Sequence, residues 1–250
     1  MGRAPAVLGA RAVAALAALL AALVAFYIWR IHLPDVSLWW DVGFLGVILI
    51  PAVFLLVLIV LPARRGTGLL FVGVAFALLA FACDRAGLDI AANFCKLATT
   101  TAIGFWFLGY FETVAWVVLV ALIIPWVDAY SVWRGPTKTI VAHHEHVFTV
   151  LSFAFPVPGE HAAANLGVPD LLFFALFLSA AARFGLRVYA TWVCLVAALG
   201  ATIALTVWLN LSGLPALPAI ALGFLIPNAD LIWRRLRGRP GPGDRAPAAV

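Results

Sequence analysis

Charge is scarce in this chain. Only 11% of its 250 residues are Asp, Glu, Lys or Arg, whereas a soluble domain carries about 25%. A water-facing surface cannot be assembled from so little charge, and no separate soluble domain fits. Cysteine occurs three times. Cys83, Cys95 and Cys194 show no metal-ligand or redox spacing and read as apolar packing residues, the alternative being a Cys83–Cys95 bridge that nothing in the sequence favours. Repeats are missing, as is low complexity beyond an Ala-rich start and a Pro/Gly/Ala-rich tail. The 11 acidic residues are outnumbered by 16 Lys and Arg, and much of the excess is Arg234, Arg235, Arg237, Arg239 and Arg245, after the last apolar run. That cluster reads as an anchor on anionic lipid rather than as a nucleic-acid surface.

Apolar residues fill the chain instead, at 65% with mean hydropathy +1.10. This is the composition of an integral membrane protein whose partner is the lipid bilayer. At about 20 residues per span, a chain of this length holds about seven to nine helices. Apolar segments fall at 12–30, 38–61, 68–83, 97–111, 113–133, 170–186, 188–210 and 215–233, and Cys83 to Lys96 reads as a loop with some helix at the interface. The fold class expected is an all-α polytopic bundle of about eight spans. Its expected organisation is an N-terminal helical region over 1–111, a helical core over 112–237 and a disordered cytoplasmic tail over 238–250. Arg3 and Arg11 before an Ala/Leu-rich run, with Ala25 as a small residue, resemble a signal peptide. The apolar run continues through Trp29 to Arg30, however, which favours an uncleaved first helix.

With eight helices both termini share a side. Termini inside places eleven Lys and Arg inside and five outside, so the positive-inside rule sets the C-terminus in the cytoplasm and turns the 134–169 loop outward. Heavy use of Ala, Arg, Gly and Pro suggests a GC-rich bacterial source, hence a bacterial plasma membrane. Within the one long loop, Val147 to Val157 (VFTVLSFAFPV) is β-branched and aromatic and too short to span, which predicts a strand or hairpin at the membrane surface.

Two carboxylates stand out against this background. Asp128 is flanked by Ile123, Ile124, Trp126 and Val127, and Asp170 opens the next helix across the loop. An ionisable group at membrane depth is expensive enough to be read as functional by default. A rise of about 1.5 Å per residue puts Asp128 roughly 9 Å below Arg134, at a depth similar to that of Asp170. Two carboxylates meeting there would share one proton. One ionised and one protonated carboxyl suffice to hydrolyse a peptide bond, with no metal or cofactor. The plainer alternative places Asp170 as an acidic group at a helix N-terminus and pairs Asp128 with Arg134.

In order along the chain come Val127-Asp128, Gly167-Val168-Pro169-Asp170 and Pro215-Ala216-Leu217. These motifs resemble those of the presenilin and signal-peptide-peptidase group of intramembrane aspartyl proteases: Tyr-Asp, Gly-x-Gly-Asp and Pro-Ala-Leu. The likeness extends over Tyr110 to Pro136 and Leu166 to Ile232, nearly half the chain. It implies a presenilin-like bundle with Asp128 and Asp170 catalytic and with Gly167, Val168, Pro169, Pro215, Ala216 and Leu217 in the active-site wall. It also implies transmembrane helical peptides or remnant signal peptides as substrates, and a β-edge before the second aspartate to receive them. The sequence departs from the family at two positions. Val127 stands where the family has tyrosine, unless Tyr130 supplies the phenol, and Pro169 replaces the second glycine. Those departures leave open a catalytically silent relative that binds transmembrane helices. A proton-coupled transporter using the aspartates as relays is the third reading.

His143-His144-Glu145-His146 reads as a solvated loop rather than a metal site, because consecutive residues converge poorly on one ion. Asp41 and Glu112 read as interfacial, Asp230 as a partner of Arg234 or Arg235, Ala197 to Thr202 as a close-packing stretch, and the tryptophans as interface anchors.

Overall fold

The computed structural model describes residues 8–134, 151–161, 163–211 and 213–237; the His143 to His146 run and the 238–250 tail lie outside them. The chain folds as α1 (Ala10–Trp29), α2 (Leu38–Phe44), α3 (Ile50–Val60), α4 (Leu69–Arg85), α5 (Asp89–Phe107), α6 (Val114–Arg134), β1 (Ser152–Pro156), β2 (Ala163–Gly167), α7 (Val168–Arg183), α8 (Val188–Trp208), α9 (Leu217–Leu225) and α10 (Ala229–Leu236). A π turn, Leu45–Leu49, fuses α2 and α3 into one rod. Its cause is Pro51, which has no N–H to return to the carbonyl four residues back, so the ladder widens locally. A 3₁₀ turn around Pro227 joins α9 to α10 in the same way. The described residues therefore form eight helical rods and one two-stranded sheet.

Four of the rods are long and apolar enough to cross a membrane: Ala10–His32, Leu38–Arg65, Val114–Ser131 and Val188–Trp208. Large apolar side chains cover their outer faces, among them Val13, Val47, Trp126 and Val193. Bare apolar surface of this extent is what lipid, not water, solvates. The hub is α7, which is enclosed by α5, α8 and α9: Phe174 to Ala181 are all buried. Phe174 stacks on Phe54 of α3 at 4.0 Å and Phe177 on Phe224 of α9 at 4.9 Å. A helix that is apolar all round belongs at a centre. Where α5 meets it, Gly104 permits the approach, since a Cβ there would sit 2.8 Å from the Leu172 carbonyl oxygen.

Consecutive rods run antiparallel, so side-chain ties sort the bundle into two ends. At one end Arg64 donates to the Ala182 carbonyl, Arg183 to that of Leu108 and Arg187 to that of Pro227. At the other end Tyr27 donates to the Ala154 carbonyl, and the Gly159 N–H donates to that of Arg30.

Two sequence expectations change here. Helix α5 begins at Asp89, so residues 89–96 are helix and not loop. Asp89 sits in the first turn, where the helix dipole favours an acidic group, and the polar Asn93 and Lys96 dilute the apolar signal. Asp230 pairs with Arg187, at 2.6 Å in a two-pronged contact, and not with Arg234 or Arg235. The start of α8 brings a planar guanidinium opposite that carboxylate, a geometry suited to bidentate bonding.

Candidate functional site

Helix α6 buries a single stripe. Val114, Val117, Ala121 and Ile124 are in the core, and Asp128 continues their three-and-four spacing, so its side chain enters the bundle. Trp126, Val127 and Tyr130 lie on the exposed face. Pro125, one turn before Asp128, cannot bond the Ala121 carbonyl and loosens the helix at that level. The Asp128 Oδ2 accepts a hydrogen bond from the Leu217 N–H at 3.0 Å. Leu217 is the first residue of α9, where backbone N–H groups have no partner inside the helix. Pro218 follows and has no N–H to offer, so the Leu217 amide is the donor in reach. A side chain from α6 thus caps α9 from outside, at the end where the helix dipole favours a negative group.

Asp170 is capped by a second helix start. Gly167 is the N-cap of α7, and its N–H donates to the Asp170 Oδ2 at 3.1 Å. A Cβ on Gly167 would lie 3.2 Å from that oxygen, so glycine is the residue that lets the carboxyl fold back on the backbone. Pro169 occupies the second helical position, exposed, where a missing N–H costs nothing. Asp170 itself is 9% exposed. The helices that carry Asp128 and Asp170, α6 and α7, pack against each other and against α9. Both carboxylates therefore lie at one end of the bundle and face the same interior. Ala216 and Leu217 are buried beside them and Pro215 is half-buried. Val127 points away from the site, and Tyr130, on the outer face of α6, does not stand in for a phenol at Asp128.

No protein-family model matches the chain, and no curated protein matches it significantly.

The strand foreseen over Val147 to Val157 is β1, Ser152–Pro156, with 147–150 outside the described residues. It is one arm of the hairpin expected before Asp170, whose second strand had not been placed: β2 pairs antiparallel with it, Ser152 opposite Gly167 and Phe155 opposite Ala164. The Val168 N–H bonds the Leu151 carbonyl at 3.0 Å, which fixes the phase of the ladder. Ser152 and Ala154 accordingly turn their backbone groups outward on the β1 side. Those groups are held: Asn93 on α5 accepts from the Ala154 N–H and donates to its carbonyl, each at 2.9 Å, and Lys96 donates to the Ser152 carbonyl at 3.1 Å. On the β2 side, Ala163, Asn165 and Gly167 turn theirs the other way, toward an edge with no strand beside it among the described residues, where Asp170 takes the Gly167 N–H and the Asn165 side-chain amide reaches the Ala163 carbonyl. That edge runs straight into Asp170.

Sequence reading also missed Asp41. Its position beside Trp39 and Trp40 suggested an interfacial group, yet it is 3% exposed and its Oδ1 has no hydrogen-bond partner among the described residues.

Proposed function

We propose that this protein is an intramembrane aspartyl endopeptidase, resembling the presenilin and signal-peptide-peptidase group, that cuts peptide bonds within transmembrane segments or remnant signal peptides. The observation that carries the reading is the pair of carboxylates at one end of an apolar bundle, each accepting an N–H from the start of a helix, beside a strand edge with no neighbouring strand among the described residues. In this reading the ionised carboxyl takes a proton from water as its oxygen attacks the peptide carbonyl carbon. The other carboxyl gives its proton to the carbonyl oxygen, and the tetrahedral species then expels the amine. Asp128 and Asp170 are the two groups. Gly167 sets the Asp170 rotamer, and Leu217 orients Asp128.

A helical substrate hides its peptide bonds in internal hydrogen bonds. The outer edge of β2 offers replacements: an unwound segment adds there as a third strand, and the pairing runs it toward Asp170. The same reading has all eight rods in the membrane. Arg64, Arg65, Arg183, Arg187, Arg234, Arg235 and Arg237 gather at the end opposite the aspartates, against Arg30, Arg85 and Lys96 near them. This bias supports a cytoplasmic C-terminus and an outward-facing site in a bacterial plasma membrane.

A second reading, a silent relative that binds transmembrane helices, is favoured by Val127 and Pro169 alone. The deciding experiment is cleavage of a fluorogenic transmembrane peptide by purified protein in detergent, beside Asp128→Asn and Asp170→Asn. Product from wild type only sustains the protease. Binding without product in all three proteins replaces it with the silent relative.

A further inference from the structure

Helices α4 and α5 form an antiparallel hairpin that carries two of the three cysteines, Cys83 and Cys95, both half-buried with free thiols. Cys83 lies in the last turn of α4, and Cys95 lies in the second turn of α5. The antiparallel hairpin places them on adjacent turns near its closed end. Neighbouring contacts set the same register: Asp84 and Lys96 line one cleft, and Gly73 packs against Ile103 and the Thr99 carbonyl. The third cysteine, Cys194, sits on α8, where its backbone packs against Gly223.

We propose that Cys83 and Cys95 are a redox pair that closes to a disulfide across the α4–α5 hairpin when a disulfide oxidant is present on the aspartate side of the bundle. One thiolate attacks the oxidant's disulfide to give a mixed disulfide and release a thiol. The second cysteine then displaces the oxidant's remaining sulfur. Two S–H bonds are lost and one S–S bond is formed, while the oxidant takes up two electrons and two protons and leaves as two thiols. The end of the bundle matters, because disulfides persist in oxidising compartments and are rare in the cytosol.

The bridge would act where α5 holds the hairpin. Asn93 and Lys96 lie on either side of Cys95 and grip Ala154 and Ser152 of β1. Closing the bridge ties that turn of α5 to α4, and through β1 it restrains the strand that leads into Asp170. The pairing itself does not depend on the proposed protease reading.

The test uses the full-length protein in detergent, equilibrated in an oxidising glutathione buffer or in dithiothreitol, then denatured with a maleimide–polyethylene glycol reagent and run on a gel. Three modified thiols are expected after dithiothreitol and one after glutathione. Intact mass distinguishes an internal bridge, which removes two hydrogens, from a glutathione adduct, and a non-reducing digest is expected to yield the peptide linking Cys83 to Cys95. Cys83→Ser is expected to show no internal bridge, while Cys194→Ser keeps it. Three reactive thiols after the oxidising buffer, a bridge through Cys194, or a linkage between two copies would each overturn the proposal.

Discussion

At the arginine end of the bundle, guanidinium groups from three rods reach across to carbonyls of their neighbours, and the Arg187 pair with Asp230 closes the last helix against α8. At the aspartate end the ties are mostly neutral side chains gripping one strand of a hairpin, while the second strand keeps an open edge and two carboxylates turn inward. Charge-assisted bonds to carbonyls are strong. Carboxylates capped by a single N–H, and a strand with one neighbour, keep bonding capacity in reserve. The contrast separates an end built to hold the helices from an end built to receive something.

The largest break expected in that contrast is at the carboxylates. Asp128→Asn and Asp170→Asn are each expected to lower peptide cleavage by roughly 10³-fold or more, the range of general acid–base catalysis, with the circular dichroism spectrum unchanged. Next is Gly167→Val, whose Cβ crowds the Asp170 oxygen. Cleavage is expected to fall about 10–100-fold, the penalty of misplaced catalytic geometry, with a much smaller change in melting temperature. Asn93→Leu removes both of its bonds to Ala154 and leaves the Ala154 N–H unsatisfied, while the carbonyl keeps the Tyr27 hydroxyl, at a cost of about 1–3 kcal/mol. Hydrogen exchange at the Ala154 amide is expected to quicken, and a slow Ala154 amide in the variant would count against the clamp. At the other end, Arg183→Ala is expected to cost about 1–2 kcal/mol by loss of its bond to Leu108, read as a lower melting temperature with cleavage per folded molecule unchanged. Smallest of all is Pro169→Gly. Proline at the second helical position sacrifices no hydrogen bond, so cleavage is expected to stay within about threefold and stability within about 1 kcal/mol.

The aspartates were legible because a carboxylate inside an apolar run is rare. Strand β1 was legible because its residues are β-branched and aromatic. The inward direction of Asp128 was not: both faces of α6 are apolar, one for the core and one for lipid, so no periodicity marks the stripe from Val114 to Ile124. Strand β2 was hidden because Ala-Ala-Asn-Leu-Gly has the composition of a loop and is a strand only through its pairing with β1. The first turns of α5 were hidden by Asn93 and Lys96, whose polarity serves the hairpin. Asp41 was hidden because its neighbours along the chain are tryptophans, while its neighbours in space are contributed by other rods.

The bond between Leu217 and Asp128 holds the first turn of α9 by a side chain that belongs to another helix. A donor that takes the Asp128 Oδ2 site used by the Leu217 amide competes with that amide and releases the turn. Occupancy at the carboxylate and fraying of α9 are thereby linked, and each biases the other by the same free energy. The first turn of α9 is a gauge of what sits on the aspartate.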